Sequence, residues 1–132
     1  MEINQIPSGD LAYLGDAVIE LLVRERLVKS GHSGAGRLNR MAAEYVTAVR
    51  QAEAVDRILH LFTEDESDVF RRARNQTKTA VPRSATAAEY RKATALEALF
   101  AYLMLKGDRQ RMYELFDAAY PQNDNSNENN NG

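Results

Sequence analysis

The sequence contains no cysteine, which excludes disulfides, thiol nucleophiles, iron–sulfur clusters and cysteinyl zinc sites together. Redox chemistry carried by the chain itself goes with them. Only two histidines occur, His32 and His60; both are isolated in sequence from the acids and read as surface or packing residues rather than catalytic bases. No stretch approaches the roughly 18 uncharged apolar residues of a membrane span. Met1-Glu2-Ile3-Asn4-Gln5 has neither the basic start nor the apolar run of a secretory signal, so the expectation is a cytoplasmic protein with no membrane partner. A glycine-rich phosphate loop of the P-loop type and a serine–histidine signature are both missing. A large charge imbalance is missing too: 17 basic residues stand against 19 acidic ones, for a net charge of −2. The chain is therefore no polycation that adheres to any nucleic acid, and such binding would need a local basic patch.

What remains is an ordinary globular composition, 44% apolar and 27% charged over 132 residues, which predicts one domain with a single hydrophobic core. The patterning is helical throughout, with no internal repeat and no strand periodicity. Residues 11–29 predict a first helix whose apolar residues occupy nearly the full circumference from Leu11 to Val23, the mark of a helix packed on several sides, including a subunit interface. Leu38, Met41, Ala42, Tyr45, Val46 and Val49 trace one face of a second helix starting near Gly36. A third follows through Leu61, after a bend that the pattern does not locate. Thr63 and Glu66 form a capping box for a fourth helix ending near Arg74, and Thr86 and Glu89 form another for a fifth that ends at Gly107. Asp108 caps a sixth, which Pro121 ends. Tyr13, Tyr45, Tyr90, Tyr102 and Tyr113 read as core or interface residues. The resulting division is an N-terminal segment over 1–9, a helical domain over 10–121 and a disordered Asn-rich tail over 122–132.

Two acids interrupt apolar helices. Asp16 lies in Leu14-Gly15-Asp16-Ala17-Val18 and looks buried, beside a mid-helix glycine that costs about 1 kcal/mol relative to alanine. Gly15 lets another backbone or a ligand come close, and Glu20, at i+4, projects from the face of Asp16. Glu97 lies in Thr94-Ala95-Leu96-Glu97-Ala98-Leu99-Phe100. Ionised carboxylates in such settings must meet an arginine, share a proton or coordinate a cation. With two of them on separate helices, a hard cation such as Mg²⁺ is as good a reading as an ion pair.

Charge is also segregated: Arg71, Arg72, Arg74, Lys78, Arg83, Arg91 and Lys92 fall between residues 71 and 92, while Glu53 to Asp68 is acidic. Arginine and lysine supply phosphate contacts, and Asn75, Gln76, Thr77 and Thr79 add uncharged donors for phosphate, ribose or base edges. The competing reading is a solvated basic face that pairs with the acidic segment. No aromatics are interleaved with these bases, which favours a duplex over a stacked single strand.

Leu11-Ala12-Tyr13-Leu14-Gly15-Asp16-Ala17-Val18 resembles the ribonuclease III signature helix, and Thr94-Ala95-Leu96-Glu97-Ala98-Leu99 resembles that family's second acidic helix. Arg72-Ala73-Arg74-Asn75-Gln76-Thr77-Lys78, Val81-Pro82-Arg83 and Tyr90-Arg91-Lys92-Ala93-Thr94 look specifically like mini-ribonuclease III, the catalytic domain without a double-stranded-RNA-binding domain. The resemblance spans about residues 10 to 120. It implies an all-α ribonuclease III-like domain of about six to seven helices, a homodimer, Mg²⁺ dependence and endonucleolytic cutting of double-stranded RNA, with large-subunit (23S) ribosomal RNA precursor as the substrate. The resemblance places catalysis and metal binding at Asp16 and Glu97; the i+4 register adds Glu20 in an outer shell, and the basic segment supplies RNA binding by Arg71, Arg72, Arg74, Asn75, Lys78, Thr79, Arg83 and Arg91. Full-length members carry four acids per site; the matching positions here are Ala12, Asp16, Thr94 and Glu97, so two are missing, a reduction the mini family shares. The alternative is a ribosome-assembly factor of the same fold that grips structured RNA without cutting it.

Overall fold

Two helix starts that the sequence predicts are realised as reciprocal hydrogen bonds. The Glu66 N–H donates to Thr63 Oγ1 at 3.2 Å and the Thr63 N–H to Glu66 Oε1 at 2.9 Å; Glu89 and Thr86 repeat the exchange at 3.1 and 2.9 Å. Each pair satisfies amide donors that a helix start leaves orphaned. The structure, a computed structural model, describes residues 2–76 and 85–122, and among them it contains helices and no strand. After a 3-10 turn at Ile3–Gln5 come α1 (Ser8–Lys29), α2 (Ala35–Tyr45), α3 (Ala48–Ile58), a 3-10 turn at Leu59–Leu61, α4 (Glu64–Gln76), α5 (Ala87–Lys106) and α6 (Arg109–Ala119).

The unlocated bend falls at Val46-Thr47, where Thr47 Oγ1 accepts from the Arg50 N–H at 3.2 Å and caps α3. Gly107, at φ +81°, closes α5 in the left-handed conformation that glycine adopts without strain. Asp108 then caps α6 by accepting from the Arg111 N–H at 3.1 Å. Two boundaries differ from expectation. The first helix starts at Ser8, directly after Pro7, whose fixed φ suits a helix entrance. Asn75 and Gln76, expected in a loop, form the last turn of α4, since neither breaks the amide ladder. Lys78, Thr79 and Arg83 lie outside the described residues, as does the Asn-rich tail from residue 123.

The helix at the centre is α5. Ala93, Ala95, Leu96, Ala98, Leu99, Phe100, Ala101 and Leu103 are buried, and α1, α3, α4 and α6 pack around them. Apolar residues on all sides are what a central helix requires. On α1 one side is covered by no described residue of the chain: Tyr13 is 84%, Leu21 59% and Val28 60% exposed. Tyr13 is accordingly no core residue, whereas Tyr45, Tyr90, Tyr102 and Tyr113 are half-buried.

Two sets of arginine contacts hold the outer helices. Arg111 on α6 donates to both Glu66 carboxylate oxygens at 2.8 Å and to Leu61 O at 2.6 Å, which gives the buried Glu66 the partner it needs. Arg57 on α3 donates to Ala119 O at 2.9 Å, and Arg26 on α1 donates to Tyr120 O, satisfying carbonyls at the end of α6. No helix among the described residues is long and apolar enough to cross a membrane.

Candidate active site

The mid-helix glycine of α1 marks a contact between backbones. A Cβ built on Gly15 would stand 1.6 Å from the carbonyl oxygen of Glu97, 2.3 Å from its carbonyl carbon and 2.8 Å from its Cα. Only glycine fits there. The contact carries the next residue, Asp16, to the side chain of Glu97, and the two carboxyl groups are hydrogen-bonded.

The structure thus unites the two acids, but it corrects how they sit. Asp16, which the sequence makes look buried, is exposed, while Glu97 is half-buried. Asp16 has Tyr13 and Ala17, both exposed, as neighbours on the uncovered side of α1, so its apolar neighbours in sequence are not packed around it. Neither acid forms an ion pair with a described residue. Glu20, expected to share the site, is paired with Arg24 at 3.1 Å. At the two positions where the family's other acids fall, Ala12 is buried and Thr94 donates its hydroxyl to Tyr90 O at 3.0 Å. Among the described residues no group of three or more acids or histidines is placed to hold a metal.

Burial first, and then the negative charge of Asp16, raise the Glu97 carboxyl from 4.5 to about 8, against an opposing hydrogen bond from Gln51. At neutral pH Glu97 therefore keeps a proton, which it shares with Asp16. Ionising both groups requires a positive charge between them in place of that proton, and an all-carboxylate donor set suits a hard divalent cation. The residues present fit Mg²⁺.

A pH dependence follows. Between about 4.5 and 8 the folded protein keeps the Glu97 proton while the unfolded chain has lost it, so the stabilisation is fully present below 4.5 and is lost as pH rises through 8. The metal-free melting temperature is expected to fall across this window. Glu97→Gln should flatten that slope. Calorimetry in EDTA at several pH values checks both, and a Glu97→Gln slope equal to the parent's would show that another group carries the effect.

The basic residues divide. Arg71 pairs with Asp68 in its own helix, and Lys92 on α5 reaches Asp56 on α3 at 2.8 Å, so this part of the basic face does pair with the acidic segment. Arg72 donates to Asn4 O at 3.2 Å and leaves its buried Nε without a hydrogen-bond partner among the described residues. Arg74 Nε lies 3.4 Å from Asn75 Oδ1. Arg91 is exposed and forms no ion pair with a described residue. Its Cα is about 9 Å along the α5 axis from that of Glu97.

One residue at this site escaped the sequence reading. Gln51 on α3 is 4% exposed and hydrogen-bonds Glu97. The available signal was its register: Gln51, Val55 and Ile58 share one helix face, and the last two are wholly buried.

Comparison with known proteins agrees with this geometry. Residues 9–108 match the Ribonuclease III domain. Mini-ribonuclease 3 of Symbiobacterium thermophilum is 44% identical over 114 residues, covering 86% of this chain and 88% of its own. Mini-ribonuclease 3 of Thermoanaerobacter sp. is 37% identical over 107 residues, covering 81% and 75%. A crystal structure of a protein from Fusobacterium nucleatum superposes with a TM-score of 0.79 at 30% identity, covering 87% of this chain and 92% of that one. The chain belongs to the ribonuclease III family, as one of its mini-ribonuclease 3 members, and is an endoribonuclease.

Proposed function

We propose that this endoribonuclease cleaves double-stranded RNA, that it depends on Mg²⁺ held by Asp16 and Glu97, and that its substrate is the large-subunit (23S) ribosomal RNA precursor. The observation that carries the proposal is the backbone contact at Gly15, which brings carboxylates from two helices to one spot with no cation of the protein between them. A protein that only grips RNA has no use for such a pair. The ribosomal precursor rests on the family resemblance.

When bound, a divalent ion supplies neutralisation of charge at the scissile phosphodiester and a water of lowered pKa. Asp16 and Glu97, both ionised, would hold that ion, and Glu97 is kept in place by its half-buried position on α5. Asp16, on the exposed side, is open to an approaching duplex. Arg74, Asn75 and Arg91 contact phosphates and ribose hydroxyls, because A-form RNA hides its major-groove base edges. The protein acts as a homodimer. Tyr13, Ala17, Leu21 and Val28 form a bare stripe on α1 spanning roughly 80° of arc, and a second copy covering it would set two sites toward opposite strands. A monomeric mass for the active protein by light scattering removes the dimer.

The test is incubation with long duplex RNA. Cleavage is expected in Mg²⁺ and none in EDTA, with single-stranded RNA of the same sequence left intact; undiminished cleavage in EDTA overturns the metal. Arg74→Ala is expected to weaken binding to all duplexes alike and to lower the salt slope by about one. An unchanged slope in a filter-binding series would make Arg74 structural.

A further inference from the structure

Asp16 and Glu97 account for the carboxylates of the site, yet a third helix contributes a group that neither acid chemistry nor RNA binding explains. Gln51 is one of three buried polar or charged residues among those described, with Ser8 and Glu66. Glu66 has its arginine and its capping role. Gln51 lies in a buried run with Ala52, Ala54, Val55 and Ile58, where an aliphatic side chain of similar volume would pack without the cost of desolvating an amide, roughly 1–3 kcal/mol when unpaired. That amide is not among the buried polar atoms left without a partner; its partner is the Glu97 carboxyl.

We infer that Gln51 is a positioning residue for the metal site: by hydrogen-bonding Glu97 from α3, it fixes the carboxylate in the orientation that holds a divalent cation. A buried amide does this without bringing a further charge into the site. Partners behind a metal ligand commonly alter metal affinity 10- to 100-fold when removed.

The inference rests on the metal reading above, and the experiment separates the two. Mn²⁺ is titrated into the parent and into Gln51→Met, which keeps the volume but loses the donor, and the melting temperature is followed in the absence of RNA. The parent is expected to gain stability with Mn²⁺. In Gln51→Met the half-saturating concentration should rise about tenfold or more, with kcat on duplex RNA lowered and KM unchanged. If Gln51→Met does not fold, Gln51→Asn, which keeps a shortened amide, is expected to shift the titration in the same direction by less. A folded variant that titrates like the parent, with the parent's kcat, overturns the inference and leaves the metal site standing. A parent with no response to Mn²⁺ removes the metal site, and this inference with it.

Discussion

Gly15→Ala is expected to cost the fold more than about 3 kcal/mol and to abolish cleavage in whatever protein still folds. Overpacking is usually absorbed when the obstructing atom is the end of a flexible side chain. Here a methyl group would lie 1.6 Å from a backbone carbonyl oxygen of α5, and neither partner has a rotamer to change. The helices must separate. Since α1 and α5 form the most extensive helix pair in the structure, separation loosens the core they share, from Val18, Ile19 and Leu22 to Leu96 and Leu99. A fall in melting temperature of about 10 °C or more is expected, together with loss of the hydrogen bond between Asp16 and Glu97. Gly9→Ala is the control, because a Cβ there meets nothing within 4 Å. Calorimetry of both variants checks this, and a Gly15→Ala protein melting with the parent would mean that the helices do not pack as described.

Asp16→Asn and Glu97→Gln are expected to lose cleavage by a factor on the order of 10²–10³ or more, the scale on which removing one charge-stabilising group from a site acts. Their stability should move the other way. In metal-free protein near pH 8, Glu97→Gln removes a carboxyl that burial and Asp16 both disfavour in its ionised form, so the variant should melt at or above the parent while failing to cut RNA. That combination, stable and inactive, separates a catalytic role from a structural one. Single-turnover cleavage of duplex RNA beside a thermal melt provides both numbers. Full cleavage by either variant would take that residue out of the site.

How much of this was legible in the sequence depended on the range of the interaction. The capping boxes at Thr63 and Thr86 are local, three residues from donor to acceptor, and were readable without a fold. Asp16 and Glu97 stand 81 positions apart; the chain revealed each as an anomaly on a helix, and Gly15 hinted at a close approach, but that it meets Glu97 depends on the packing of α1 against α5. The exposure of Asp16 was misread because the apolar stripe beside it, Tyr13 and Leu21, is covered by no described element of its own chain. Gln51 is hard to see in sequence because the apolar residues Ala52, Val55 and Ile58 mark the buried stripe of α3, and a polar residue one position before Ala52 looks like the solvent side. The pair of Arg71 with Asp68 spans a single helical turn and is visible in sequence, whereas that of Lys92 with Asp56 needs α3 beside α5.

Anomalous diffraction from crystals soaked in Mn²⁺ near pH 8 would locate the ion, since Mn²⁺ takes the same oxygen ligands as Mg²⁺ and is identified by its scattering. A peak at the carboxylates of Asp16 and Glu97 is expected. A map without density between them, with the two acids still hydrogen-bonded to each other and the ion bound elsewhere, would contradict the metal assignment.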